Sequence, residues 1–368
     1  MFHIGDMKDT DKSVLPGIRI RARGANGNQV GRFEGYVREA MDDGWPGERE
    51  DKLLRTEVRL EVPRSALTYN RSPDLPFDRS INPYRGCEHG CIYCFARPTH
   101  AYLNLSPGLD FETRLIARPG IGKVLDKELR AKSYKVATIA IGTNTDPYQP
   151  CEAEHKVMRE VLEVLQDFGH PVAITTKGAL ILRDVDILAP MAAQGLVRVG
   201  ISVTTLDADL ARRLEPRAAA PTRRLHVIRR LSEAGIPVRA MIAPVIPGLT
   251  DHEMEPILAA VAEAGAIAAS FITLRLPLEV SPLFQDWLAT HEPGRAAKVM
   301  ARVRDLHGGK DYDPEWGKRM KGQGIWADLL ARRFKVASHK LGLDAEQPAL
   351  RTDAFAVPFS KGAQLGLF

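Results

Sequence analysis

Three of the four cysteines in this chain, Cys87, Cys91 and Cys94, fall within eight residues at the spacing Cys-x3-Cys-x2-Cys. Thiolates held that close repel one another and oxidise readily, and inside a cell a metal centre is the usual reason for gathering them. A 4Fe–4S cluster normally takes four thiolates, one per iron. Three from one loop leave one iron open to a small ligand, which suits a cluster to chemistry rather than to carrying electrons. Two other readings use the same residues. A structural zinc site could combine the three cysteines with His89 or His100, although zinc modules usually supply two separated ligand pairs and no second Cys/His pair lies near. A disulfide framework is disfavoured by four cysteines in 368 residues and by the odd number in the loop.

With Tyr93 just before the last cysteine, the loop resembles the signature of the radical S-adenosylmethionine (radical SAM) enzymes. The longer run, Ser80-Ile81-Asn82-Pro83-Tyr84-Arg85-Gly86-Cys87 through Tyr93-Cys94-Phe95-Ala96-Arg97, is similar to one branch. That branch holds proteins related to spore photoproduct lyase, often labelled DNA repair photolyase-like, and within it the chain resembles a bacterial subgroup of unassigned substrate. By motif order the resemblance runs from about Leu67 to the C-terminal helices. It implies that Cys87, Cys91 and Cys94 ligate a 4Fe–4S cluster and that S-adenosyl-L-methionine (SAM) chelates the open iron. It further implies that an electron from a donor such as ferredoxin or flavodoxin releases a 5′-deoxyadenosyl radical, which abstracts hydrogen from the substrate. A pyrimidine lesion in DNA is one candidate and would have to be extruded from the duplex; RNA, a protein and a small molecule are others. The alternative of a different class is a nucleic-acid-binding protein with a structural zinc site. An electron-transfer protein is disfavoured, because one cluster lacking one ligand makes a poor wire.

The elements that must position these residues are legible as apolar runs. Strand-length runs at 81–84, 135–142, 171–175, 196–204, 237–246 and 266–276 alternate with helical patterns. In the first of those helices, Glu152 to Phe168, the positions Val157, Val161, Leu162 and Leu165 keep helical spacing. Thr250-Asp251-His252-Glu253 reads as a capping box opening a helix over Glu253–Ala264. Continuous β-branched runs separated by helices indicate an α/β fold with a parallel sheet covered on both faces. Six repeats predict a partial (β/α)6 TIM-like barrel, a form that the resemblance also implies. The expected division is an irregular N-terminal extension over 1–70, a radical SAM core over 71–280 and a C-terminal helical region over 281–368. Within the last region Tyr312 to Gly324 resembles a run rich in Arg, Met and Gly near the end of the family's chains and reads as a cap over the open side.

In βα barrels, sites gather at the C-terminal ends of the strands. After the second strand the family often has Gly-Gly-Glu, which binds the SAM amino group; here Gly142-Thr143-Asn144-Thr145-Asp146 departs from it, so Thr143, Asn144 and Asp146 share that expectation. By resemblance, Lys177 belongs near the SAM carboxylate or ribose, Ser202 and Thr204 could hydrogen-bond the same groups, and Ile246 lies on an apolar ledge that holds adenine. Tyr93 would face adenine through the nearby backbone. Each polar member could instead cap the next helix or pack in its loop. Arg85 beside the cluster would favour its reduced state, or is merely exposed. Cys151 follows Pro150 at a helix N-terminus, where amide donors would lower its pKa. By resemblance it is a candidate hydrogen-atom donor to the substrate radical, and otherwise a buried, inert cysteine.

At 44% hydrophobic and 26% charged residues the chain is composed like a soluble globular protein. No apolar run follows a basic segment at the start, and no window is long enough to span a bilayer, so a cytoplasmic protein without a membrane partner is expected. The net charge is +5 and the pI about 9.0. From Pro293 to Phe368 there are 14 Lys/Arg against 8 Asp/Glu, a balance of +6 that accounts for the whole excess. That bias suits a phosphate-rich partner, and solvated helices with surplus cations produce it equally. Arg19, Arg21 and Arg23 could touch nucleic acid, with a solvated arm as the plainer reading.

Overall fold

The β-branched runs do form parallel strands. The computed structural model describes residues 22–33 and 54–359. Arg19 and Arg21 lie outside them. The strands are β1 (Glu57–Leu60), β2 (Leu67–Tyr69), β3 (Arg79–Ile81), β4 (Tyr84–Arg85), β5 (Arg114–Ala117), β6 (Ile139–Ile141), β7 (Val172–Thr176), β8 (Val197–Ser202), β9 (Val238–Val245) and β10 (Ala268–Thr273). A seven-stranded sheet runs in the order β10-β9-β8-β7-β6-β3-β2. Its pairs from β3 to β10 are all parallel, and β2 is added antiparallel at the β3 edge. The linear order is that of an open, partial barrel. Helices cross between successive strands and cover the outside, so residues on both faces of β8 are buried.

The helices follow from their apolar stripes. Val157–Asp167 buries Val157, Met158, Val161, Leu162 and Leu165 along one face. These join Ile139, Ile141, Val172, Ile174, Val197 and Val199 from the strands in the main core. Full burial of such a side chain contributes about 1.5–3 kcal/mol. A second cluster, including Leu274, Val280, Phe284, Trp287 and Val303, forms where the helices Val280–His291 and Pro293–Leu306 pack against the end of the barrel that carries the cysteine loop.

Several local expectations are corrected. The run 81–84 is broken at Asn82-Pro83, and Tyr84 starts β4, which joins a separate three-stranded sheet in the order β1-β5-β4. The helix expected over Glu152–Phe168 is two, split at Lys156, whose φ of 51° is left-handed. There the Glu152 carboxylate accepts the Met158 amide at 3.2 Å and caps the second helix in its place. The capping box at Thr250 does not form. Thr250 Oγ1 instead accepts the Ile246 amide at 2.9 Å, and Glu253 accepts from Thr205 and Leu206. Arg23 is no solvated arm: it is buried, donating to the carbonyls of Glu112 and Leu54 at 2.9 and 2.6 Å. Among the described residues no helix is long and apolar enough to cross a membrane.

Candidate metal centre and cofactor pocket

The cysteine loop leaves β4 at the C-terminal end of the parallel strands and is held from several sides. The Cys87 amide donates to the Phe111 carbonyl at 2.9 Å, and the Ile92 amide to the Leu214 carbonyl at 3.0 Å. Gln149, fully buried after β6, grips both sides of Cys87: its Oε1 accepts the Glu88 amide at 2.8 Å, and its Nε2 donates to the Gly86 carbonyl at 3.2 Å. Cys87 and Cys91 are buried and Cys94 is half-buried. Burial pushes all three thiols up, and the acidic neighbours Asp146 at Cys87 and Glu215 at Cys91 add to it. Opposing this, the Asp146 amide donates to Cys87, and those of Ala96 and Arg97 to Cys94.

Mutually raised, buried thiols lose their protons only to a strong local positive charge, and metal ions supply it. The donor set therefore fits an iron–sulfur cluster: three sulfurs in an apolar wall, with backbone amides aimed at two of them. It fits zinc poorly. A tetrahedral zinc ion would need a fourth ligand beside the three cysteines, with His89 and His100 as the candidates. The histidines are engaged elsewhere, His89 Nδ1 lying 3.3 Å from Asp146 and His100 Nε2 2.9 Å from the Arg114 carbonyl.

Around this loop the strand ends converge unequally. Asp146 braces β6 to β7, accepting the Thr176 hydroxyl at 2.6 Å and the Lys177 amide at 2.7 Å. Burial alone would raise its carboxyl, but His89 and those donors outweigh it and bring it down to about 2. Thr143 and Asn144 are half-buried beside Gly142, which must be glycine: its φ is left-handed, and an added Cβ would collide with the Thr175 carbonyl. Neither side chain is hydrogen-bonded among the described residues.

Tyr93, Thr204, Lys177 and two residues that sequence reasoning missed, Glu215 and Arg224, form one network. The Glu215 carboxylate accepts the Tyr93 and Thr204 hydroxyls, the latter at 2.8 Å, and pairs with Arg224. The Lys177 ammonium lies 5.9 Å from the centre of the Tyr93 ring. Burial opposes its charge, but Glu215 and Cys91 raise it above an ordinary lysine. Burial likewise opposes ionisation of Glu215, yet Arg224 and Lys177 take it down to about 2. Ser202 is buried at the end of β8, its carbonyl accepting from Arg224 at 3.2 Å. Ile246 is enclosed in the second apolar cluster, and both its amide and its carbonyl are engaged by Thr250. Glu215 and Arg224 carry no sequence signal, because a stretch of turn and helix separates them and only the fold makes them a pair.

Cys151 sits outside this convergence. It packs against the main core near Tyr84 and Glu88 rather than in the apolar wall of the other cysteines. Its thiol is pushed up, by burial first and then by Glu88 and Glu152, which corrects the expectation of an acidic thiol. The helix it precedes is four residues long, too short to offset that. Arg85 is exposed and pairs with Glu61 at 3.5 Å. Beyond Cys94, Phe95 is 44% exposed, and the Arg275 guanidinium from the end of β10 stands 4.5 Å from its ring centre.

Comparison with known proteins agrees with this geometry. The family model described as the radical SAM superfamily matches residues 81–261. An uncharacterized protein of Mycobacterium tuberculosis is 35% identical over 308 residues, covering 83% of this chain and 87% of that protein. Among solved structures, a point mutant of spore photoproduct lyase superimposes with a TM-score of 0.53 at 15% identity, covering 77% of this chain and 79% of that one. A double mutant of the same lyase, with bound AdoMet and dinucleoside spore photoproduct, gives a TM-score of 0.52 at 14% identity over the same shares. At such identity the likeness is one of fold.

Proposed function

The chain belongs to the radical SAM superfamily and is a radical SAM enzyme, and from that premise we propose that it abstracts hydrogen from a nucleic-acid base. The family's chemistry rests on a 4Fe–4S cluster and SAM, which together supply a 5′-deoxyadenosyl radical when bound. In this reading Cys87, Cys91 and Cys94 hold the cluster, and the single observation that carries it is their gathering in one buried loop at the strand ends. Lys177, kept charged by Glu215 and lying over the Tyr93 ring, offers a cation to the SAM carboxylate. Thr143 and Asn144, with free side chains among the described residues, face the amino group, and Asp146 orients that loop. Ser202 and Thr204 line the ribose side, and the Ala243–Ile246 ledge the adenine side. The nucleobase reading is supported by Phe95 and Arg275, a partly exposed ring and a cation at the mouth of the kind on which single-stranded bases stack.

In this reading residues 71–280 are the catalytic core, the described residues before them an extension that adds β2 to the edge of its sheet, and the described residues after 280 a cap. Reducing electrons come from a cytoplasmic donor such as ferredoxin or flavodoxin. Cys151 stays protonated in its acidic, buried surroundings, the state a hydrogen-atom donor needs.

The test is anaerobic reconstitution. The wild type should become brown with about four irons per chain and release deoxyadenosine on adding SAM and reductant, and Cys87→Ala should lose both. Tightly bound zinc and no SAM cleavage would reverse the assignment in favour of a structural metal. The substrate is read by incubation with nucleic-acid, protein and small-molecule fractions from cells grown in heavy water. Deuterium should enter the deoxyadenosine or SAM pool from nucleic acid; entry only from another fraction overturns the nucleobase reading.

A further inference from the structure

Behind the cysteine loop lies an ion pair with no solvent exposure, Arg97 and Glu112. All five N–H groups of Arg97 are used. Its Nε donates to the Cys91 carbonyl at 2.9 Å and Nη1 to the carbonyls of Pro107 and Gly108 at 3.0 and 2.9 Å. Its Nη2 donates to the Gly90 carbonyl at 3.2 Å and to Glu112. Two of these acceptors, Gly90 and Cys91, lie within the span of the three cysteines. The Glu112 carboxylate also accepts the amides of Gly24 and Ala25, at 2.9 and 3.0 Å, from the far N-terminal segment. That segment is pressed onto the same turn: a Cβ on Gly24 would collide with the Gly90 carbonyl oxygen. The Leu109 amide then donates to the Gly27 carbonyl at 3.2 Å, and Asn28 and Asp110 exchange hydrogen bonds at 3.0 and 3.1 Å.

A buried guanidinium is tolerable only while paired, and neutralising its carboxylate leaves a charge that pulls water or rearranges. Glu112 is thus the junction where the Arg97 fork and the N-terminal strand of chain meet. We propose that Glu112 is a positioning residue of the metal centre, fixing the Gly90–Cys91 turn through Arg97 and making residues 24–28 part of the housing of the cluster. This rests on the cluster assignment above but is testable without it.

Glu112→Gln keeps the shape and removes the charge. In the metal-free chain, hydrogen exchange over residues 88–95 should accelerate about tenfold on losing a charged hydrogen bond, while exchange in β7 and β8 stays as in the wild type. In the reconstituted chain, iron should be lost to a chelator faster and the electron paramagnetic resonance signal of the reduced cluster should broaden or shift. Gly24→Ala, more than sixty residues from the cysteines, should reproduce both effects and remains informative if Glu112→Gln does not fold. The exposed ion-pair variant Arg351→Ala is the neutral control. Unchanged exchange over 88–95 with unchanged chelation in Gly24→Ala overturns the proposal. A wild type that takes up no iron sinks the cluster assignment instead, and the exchange measurement still decides the role of Glu112.

Discussion

Individual side chains in this protein are mostly committed before any ligand arrives. Asp146 illustrates it, since its carboxyl is held near 2 against an ordinary 3.8 by His89, Thr176 and the Lys177 amide. A depressed acid contributes stability that is present above its unfolded pKa and lost as pH falls through the folded one. The window is therefore from about pH 4 down to about 2. Asp146→Asn should lower stability at neutral pH by about 2 kcal/mol and remove that part of the acid dependence, as read by chemical unfolding at a series of pH values. Cys151 makes the opposite case, a group whose neighbours keep its proton on. Cys151→Ala should leave the rate of deoxyadenosine formation intact and change the product; identical products would reduce Cys151 to a packing residue.

At the scale of elements, the mouth of the barrel is finished by a loop rather than by a strand. The Met320 carbonyl accepts the Thr273 amide at 3.1 Å at the end of β10, and Arg319 forks onto Asp74 at 2.6 and 2.8 Å with a further bond to Ser72. This bidentate pair ties the loop that follows the helix Pro293–Leu306 to the segment between β2 and β3, bridging the two edges of the sheet. Arg319→Met should cost about 1.5–3 kcal/mol and make residues 312–323 the first site of limited proteolysis. Unaltered cleavage kinetics there would show that the Met320 contact alone secures the loop.

For the molecule as a whole, the base of the barrel sets the response to acid. His170, just before β7, is buried between Tyr134 and Phe355, bonded to the Tyr134 hydroxyl at 2.7 Å, and burial lowers it to about 4. The unfolded chain binds this proton first, so the stability contributed by neutral His170 is full above about pH 6.5 and lost as pH falls towards 4. Burial shifts His100 the same way. Unfolding free energy should drop by about 3 kcal/mol across that window, and His170→Phe, which keeps the ring contacts, should flatten the slope. An equal slope in the variant would assign the effect to other groups.

Periodicity and local spacing determined the cysteine trio, the six parallel strands and most of the helices that cover them, because both depend on neighbours within a turn or a pleat. The sequence also marked Lys177 and Tyr93, through motif resemblance and strand-end position. Tertiary structure alone decided what those residues touch. The Glu215–Arg224 pair, the Gln149 grip on Cys87, the Glu112 junction with Gly24 and the raised thiol of Cys151 all join segments distant in the chain. A carboxylate in a polar stretch reads the same whether it ends in water or against a buried guanidinium, and only the closing of the fold removes the water that makes the difference.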